Sequence, residues 1–269
     1  MDVLPTRVIE VPDLDTPVRL HATGDWHIGE RGCAESKLKR DVDAIASDPG
    51  AIAILMGDLG GFIAPDDSRR FDPQTVAEGL TIDDLSDWGG VLVRKVHTVA
   101  EPLRGRIVGV LEGNHEMAFR QHQRMPVTRM IADALGARAL GYTCLFALRF
   151  QAPDGRRDLS VMATHGSGAA ATPGGKLNRL IRTMHSVDAD LVLMGHVHDC
   201  LSYGRARLYR DGNRIGEREQ LGVVTGSYLA TYAQGHSGYG ERAGYAPVRL
   251  GHPVIEIVPR TLSMTVGWV

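Results

Sequence analysis

Residues 51–61 read AIAILMGDLGG. The six apolar residues are too short a run for a buried helix but match a strand covered on both faces, and Gly57-Asp58 ends the run in a turn. The same grammar recurs along the chain. Residues 18–22 run into Gly24-Asp25-Trp26-His27, 107–111 into Gly113-Asn114-His115-Glu116, 159–163 into Thr164-His165-Gly166, and 191–194 into Gly195-His196-Val197-His198. Segments of helical length and periodicity lie between several of these runs, at 35–46, 85–100, 126–135 and 176–185. Alternating strands and helices predict an α/β layered fold. After Cys200 the pattern changes to shorter, more polar β-like runs at 201–209, 214–225, 254–258 and 262–269, with a turn at Asp211-Gly212-Asn213. That half reads as antiparallel hairpins. With no repeat, low-complexity tract or Pro/Ser-rich linker, the expectation is one domain over 1–269.

Composition narrows the class. The 269 residues are 43% hydrophobic and 23% charged, and no apolar stretch approaches the roughly 18 residues of a membrane span. A soluble globular protein is expected, with no disorder and no membrane partner. The first fifteen residues lack the basic and apolar regions of a secretory signal, and Cys33, Cys144 and Cys200 form neither a disulfide framework nor a metal clip. A reducing cytoplasm is the expected location. A net charge of -2 excludes a strongly basic protein that coats nucleic acid regardless of sequence. Only four of the 30 basic residues are lysine, a bias that codon usage explains. Eleven histidines are the remaining excess.

Five of those histidines fall on the strand-end turns. Ligand sites in open α/β sheets form at the carboxyl ends of strands, so Asp25, His27, Asp58, Asn114, His165, His196 and His198 are candidates to converge. Four imidazoles, two carboxylates and one amide oxygen can hold two divalent transition metals with one carboxylate as a bridge. Imidazole with carboxylate suits manganese, iron, zinc or nickel, whereas magnesium and calcium favour oxygen ligands.

With these residues in order, the chain resembles the calcineurin-like metallophosphoesterase superfamily. Its signature D-x-H, GD, GNH[DE], H, GHxH is matched by DWH at 25–27, GD at 57–58, GNHE at 113–116, His165, and GHVH at 195–198. The resemblance spans about residues 18–200. It implies a four-layer αββα sandwich, two mixed sheets flanked by helices, with the later strands completing the second sheet. It also implies that Asp25, His27 and His198 hold one metal with Asp58 bridging, while Asn114, His165 and His196 complete the other, manganese foremost. The implied activity is hydrolysis of a phosphodiester or small phosphomonoester by attack of a metal-bridging hydroxide, with His115 as general acid and Glu116 orienting its ring.

Departures from the superfamily's branches narrow the substrate. Ser/Thr protein phosphatases carry GDxVDRG, whose arginine grips the substrate phosphate; here GDLGG stands instead, and the complete GHxH is one those phosphatases lack. Arg69 and Arg70, in the long connection at 60–83, are candidates to replace that clamp. A second long connection, 226–247, interleaves glycines with Tyr228, Tyr232, Tyr239 and Tyr245 beside His236. Base stacking by those tyrosines is one reading. The GHxH form with GNH[DE] is similar to that of the superfamily's nucleases as well as its small phosphoesterases, so the alternative function the resemblance implies is a manganese-dependent DNA or RNA nuclease on the same site. A non-catalytic scaffold is disfavoured because every ligand position is filled. Asp199, directly after the last ligand, is a candidate to support it. Metal identity, the physiological ester and oligomeric state stay open.

Overall fold

The structure is a computed structural model and describes residues 2–3, 6–232 and 238–269. In chain order its elements are β1 (Asp2–Val3), β2 (Arg7–Glu10), β3 (Val18–Thr23), α1 (Glu35–Ser47), β4 (Ala51–Leu55), α2 (Ile82–Ser86), α3 (Trp88–Ala100), β5 (Ile107–Val110), α4 (Asn114–Gln123), α5 (Val127–Ala134), β6 (Thr143–Ala152), β7 (Gly155–Thr164), α6 (Pro173–His185), β8 (Leu191–Met194), β9 (Cys200–Asp211), β10 (Arg214–Thr225), α7 (Tyr239–Arg242), β11 (Pro253–Val258) and β12 (Ser263–Trp268).

These strands form two mixed sheets. One runs β12-β11-β3-β4-β5, with β3, β4 and β5 parallel and β11 antiparallel to both its neighbours. The other runs β1-β6-β7-β8-β10-β9 with β2 also on β6; β7, β8 and β10 are parallel, and the β6/β7 and β9/β10 hairpins are antiparallel.

Alternation along the strands builds the layers. In β4 and the residue after it, Ile52, Ile54 and Met56 face the space between the sheets, where they meet Phe146, Leu148 and Phe150 of β6, Val161 of β7 and Leu193 of β8. Ala51, Ala53 and Leu55 face the other way, onto Leu38 and Val42 of α1, Leu92 and Val96 of α3, and Ile131 of α5. A third cluster packs Leu180 and Met184 of α6 on the outer face of the second sheet, against Val192 and Met194 of β8 and Val224 of β10. The molecule is thus the expected α/β sandwich of helices, sheet, sheet and helix.

Three details differ from the sequence reading. The later strands do not all complete the second sheet: β9 and β10 do, whereas β11 and β12 extend the first, because Ile255 and Ile257 point into the space between the sheets while β11 pairs with β3. The helix expected over 85–100 breaks at Asp87, where exposed α2 ends and Trp88 turns inward to be buried. Strand β6 and helix α4 were not anticipated; α4 follows directly from the Asn114 turn.

Candidate metal centre

The five expected turns meet at one end of the two sheets, and backbone hydrogen bonds carry the strand pairing on past the strands. Asp25 N–H donates to Gly57 O at 2.8 Å, His27 N–H to Asp58 O at 3.0 Å and Ile28 N–H to Leu59 O at 3.1 Å, locking the first two turns side by side. Across the sheets, His196 N–H donates to Asp25 Oδ2 at 3.0 Å. At the third turn His115 N–H donates to Asp58 Oδ1 at 2.9 Å. A Cβ at Gly113 would lie 2.1 Å from that same Oδ1, so only glycine lets the two turns approach this closely.

The cost of the arrangement is visible in the backbone. Seven non-glycine residues among those described have positive φ, and five of them are Asp25, His27, Asp58, His196 and His198. Left-handed conformations of this kind collect where a site over-determines them.

The candidate ligand side chains gather in two nitrogen and oxygen clusters, and His27 also belongs to a third group with Glu30 and His115. In the first, Asp25 Oδ1 is 3.1 Å from His198 Nε2, which is itself 3.2 Å from His27 Nε2. In the second, Asp58 Oδ2 is 3.2 Å from His165 Nε2, with His196 beside them. The amide oxygen of Asn114 lies 3.0 Å from His165 Nε2, and the same amide position is 3.1 Å from Asp58 Oδ2 and 2.7 Å from His196 Nδ1. With that oxygen inward, it faces three further atoms able to act as ligands, a set that a cation would satisfy; turned over, the amide NH2 donates to the same atoms.

Two of the four histidine rings have an acceptor behind them, as metal-ligating imidazoles do. His165 Nδ1 is 2.9 Å from Met56 O, and His27 Nδ1 is 2.9 Å from Glu30 Oε1. Each outer acceptor turns the ring's Nε2 into the cluster, which is how a partner behind an imidazole orients it toward a metal. The seven candidate ligands therefore fit two divalent cations, and the imidazole-rich donor set suits transition metals over magnesium or calcium.

Electrostatics follow from placing carboxylates and imidazoles out of water. Burial opposes a proton on His27, but the Glu30 charge beside it wins and holds the ring's pKa up at about 9. At His165 burial is again outweighed, here by Asp58, and the value rises to about 10. Burial disfavours the Asp58 carboxylate, yet His165 and His115 hold it well below the usual range; Asp25 is lowered in the same way by His198. His115, by contrast, is lowered by burial.

Glu116 takes a different place from the one expected. Its Oε2 accepts from Asp58 N at 2.9 Å and Gly113 N at 3.0 Å, and its Oε1 accepts from Leu59 N at 2.7 Å. Both oxygens are engaged by three backbone N–H groups that the turns expose, so Glu116 braces the Asp58 turn against the start of α4 and does not orient the His115 ring. The carboxylate nearest that ring is Glu30, 3.7 Å from His115 Nδ1, a residue the sequence reading passed over. Its only sequence signal is its place three residues after His27.

A second feature missed is a buried polar chain behind the first cluster. Lys37 Nζ bonds Asp41 Oδ2 at 2.8 Å, Tyr228 O–H donates to the same oxygen at 2.6 Å, and His252 follows at 2.7 Å and His21 at 2.9 Å. Tyr228 N–H and Ser227 O–H both donate to Asp25 O at 2.9 Å, so the chain backs the Asp25 turn. Tyr228 is fully buried and cannot stack a base. Tyr232 O–H donates to Tyr245 O at 3.0 Å, while His236 and the side chain of Tyr239 lie outside the described residues.

The connection at 60–83 docks on the loop after His27: Arg31 N–H donates to Thr75 O at 2.7 Å and Ala77 N–H to Gly29 O at 2.8 Å. Within it Arg70 pairs with Asp67 at 2.7 Å. Both oxygens of Asp199 are engaged elsewhere, one by Lys176 at 3.1 Å and the other by Cys200 N–H at 2.9 Å.

No family model matches the chain, and no curated protein matches it in sequence. Among solved structures it is similar to a conserved uncharacterized protein from Streptococcus pneumoniae, described as a predicted phosphoesterase, at 12% identity and a TM-score of 0.38, covering 94% of this chain and 90% of that one. It is also similar to a metallophosphoesterase from Sphaerobacter thermophilus, at 13% identity and a TM-score of 0.38 over 94% and 88% of the two chains. A Vps29 double mutant from Entamoeba histolytica stands at 11% identity and a TM-score of 0.38 over 94% and 99%. The resemblance of this chain to the calcineurin-like metallophosphoesterases stands on its own ordered motifs and on the two clusters into which the fold draws them.

Proposed function

We propose that this protein is a metal-dependent phosphoesterase that hydrolyses phosphate esters, phosphodiesters or small phosphomonoesters, at a centre of two divalent transition metals. The observation that carries the reading is the convergence of turns from β3, β4, β5, β7 and β8 into two adjacent ligand clusters built from residues 25 to 198. Asp25, His27 and His198 hold one ion, Asn114, His165 and His196 the other, and Asp58 stands between as the shared carboxylate. Manganese is the first candidate and iron, zinc and nickel the others. Bound there, two such ions supply Lewis acidity to a phosphoryl group and lower the pKa of water.

The chain's own part is to place the groups and move a proton. Asp58 is fixed by the His115 backbone on one side and by the Glu116 brace on the other, so its free oxygen keeps its aim. The His115 ring sits at the rim, with Nε2 4.0 Å from Asp58 Oδ2 and a side chain still 16% exposed, beside the shared carboxylate and open to an incoming ester. We assign His115 the general-acid role. The test is turnover of bis-p-nitrophenyl phosphate, p-nitrophenyl phosphate, a cyclic nucleotide and single-stranded DNA by manganese-loaded protein. Turnover of a small ester with single-stranded DNA left intact supports the reading; cleavage of DNA alone replaces it with a nuclease.

A further inference from the structure

Glu30 lies outside the ligand motifs, yet its carboxylate ends between two rings of the centre. Its Oε1 is 2.9 Å from His27 Nδ1 and 3.7 Å from His115 Nδ1, and the two rings meet edge to face at 4.7 Å. His115 Nδ1 is buried and has no hydrogen-bond partner. An imidazole nitrogen shut away from water needs one. Glu116 has both oxygens on backbone N–H groups, and Asp58 lies at the other ring nitrogen, 4.0 Å from Nε2, which leaves Glu30 as the acceptor facing Nδ1. The 3.7 Å separation exceeds a hydrogen bond by less than one side-chain adjustment, and contacts of this kind in free enzymes tighten when substrate arrives.

The surrounding chain reserves this space for Glu30. A Cβ on Gly61 would fall 2.5 Å from Glu30 Cγ and 3.0 Å from Oε1, so residue 61 must be glycine for the carboxylate to lie where it does. Glu30 N–H donates to His27 O at 3.0 Å, its carbonyl accepts from Cys33 N–H at 3.0 Å, and the residue bridges to Val76 of the 60–83 connection. The connection therefore clamps the loop that carries the carboxylate.

We propose that Glu30 is the positioning residue of His115: it accepts the Nδ1–H and fixes the plane of the ring, so that Nε2 faces the ester and takes up from water the second proton that the imidazolium then gives to the outgoing oxygen, leaving the neutral ring with its proton on Nδ1, while the same Glu30 oxygen anchors His27 behind the metal centre. This rests on the phosphoesterase reading and adds to it the residue that orients the acid.

The test uses the full chain loaded with zinc and labelled with nitrogen-15 histidine. In the wild type the His115 ring, assigned by its loss in His115→Gln, is expected to carry its proton on Nδ1, and Glu30→Ala to move that nitrogen toward the unprotonated shift. In parallel, kcat and KM are measured on diphenyl phosphate and bis-p-nitrophenyl phosphate, with two zinc ions per chain verified. Glu30→Ala is expected to lower kcat on diphenyl phosphate about 10- to 100-fold with KM little changed, to lower it less on the nitrophenyl ester, whose leaving group needs a proton less, and to be partly rescued by Glu30→Gln. If alanine strips the zinc, Glu30→Gln, which keeps an acceptor for His27, carries the comparison through its kcat ratio for the two esters. An unprotonated Nδ1 in the wild type, or an unchanged ratio of the two kcat values in the variants, overturns the proposal. A wild type that turns over neither ester defeats the phosphoesterase reading instead, and the nitrogen-15 shift then decides the Glu30 contact by itself.

Discussion

Asp58 Oδ1 accepts the backbone N–H of His115 at 2.9 Å, so the carboxylate assigned as the shared ligand and the residue assigned as the acid are placed by a single hydrogen bond. Its other oxygen faces His165 at 3.2 Å. Each oxygen of Asp58 therefore has a separate duty, one structural and one chemical, and a substitution at this residue separates them.

Asp58→Asn keeps a carbonyl oxygen for the His115 N–H but removes the charge between the clusters. The variant is expected to fold, to bind fewer than two metals per chain, and to lose about 100- to 1,000-fold in turnover, on the scale of other electrostatic catalytic groups. Elemental analysis beside a circular-dichroism melt checks this. Full metal occupancy in Asp58→Asn argues against the shared-ligand role.

His115→Ala leaves all seven ligand candidates in place. It is expected to retain both metals and lose about 100- to 10,000-fold in kcat, the range for removing a general acid. Unchanged turnover with metal bound removes His115 from the acid role.

Glu116→Ala acts on stability. Three buried N–H groups, of Asp58, Leu59 and Gly113, lose their acceptor at once. With each unsatisfied group costing about 1–3 kcal/mol and water entering to recover part, a loss of about 3 kcal/mol is expected in denaturant unfolding. A loss below about 1 kcal/mol would show that the brace is dispensable.

Much of this was legible in the sequence, because the five apolar runs are covered on both faces and each stops at a glycine turn with a polar ligand. Strand β6 hid for the opposite reason: Cys144, Phe146, Leu148 and Phe150 point inward while Arg149 and Gln151 break the apolar run, so the strand shows only as a period-two alternation. Glu30 and the Tyr228, His252 and His21 chain were not legible at all. A lone glutamate in a loop carries no pattern, and the chain joins residues as far apart as 21 and 252, which only the β3/β11 pairing brings together.

Metal loading is expected to release protons. With the metals removed, Glu30 and Asp58 hold His27 at about 9 and His165 at about 10, so both rings are protonated at pH 7. A metal takes only the neutral ring. Titration calorimetry in buffers of different ionisation enthalpy is expected to show about two protons leaving per chain near pH 7 from these rings. Loading with no proton release contradicts the protonated cluster.

Acid stability has the reverse sign at His252 and His21. Burial holds them at about 3 and about 4, below the ordinary histidine value, so the unfolded chain takes up protons that the folded chain refuses. Their contribution is present above about pH 6.5 and is lost as pH falls from there toward about 4 for His21 and about 3 for His252. His252→Gln is expected to flatten the fall of unfolding free energy with pH across that window; an unchanged slope contradicts the assignment.

The most direct measurement is metal stoichiometry taken together with turnover. Chelated protein reloaded with manganese is expected to bind two ions per chain and to regain, in step with the second ion, the hydrolysis of bis-p-nitrophenyl phosphate or p-nitrophenyl phosphate that chelation removed. Binding of fewer than two ions, or two bound ions with no turnover of either ester, of a cyclic nucleotide or of single-stranded DNA, would contradict a phosphoesterase centre and leave the fold as a scaffold.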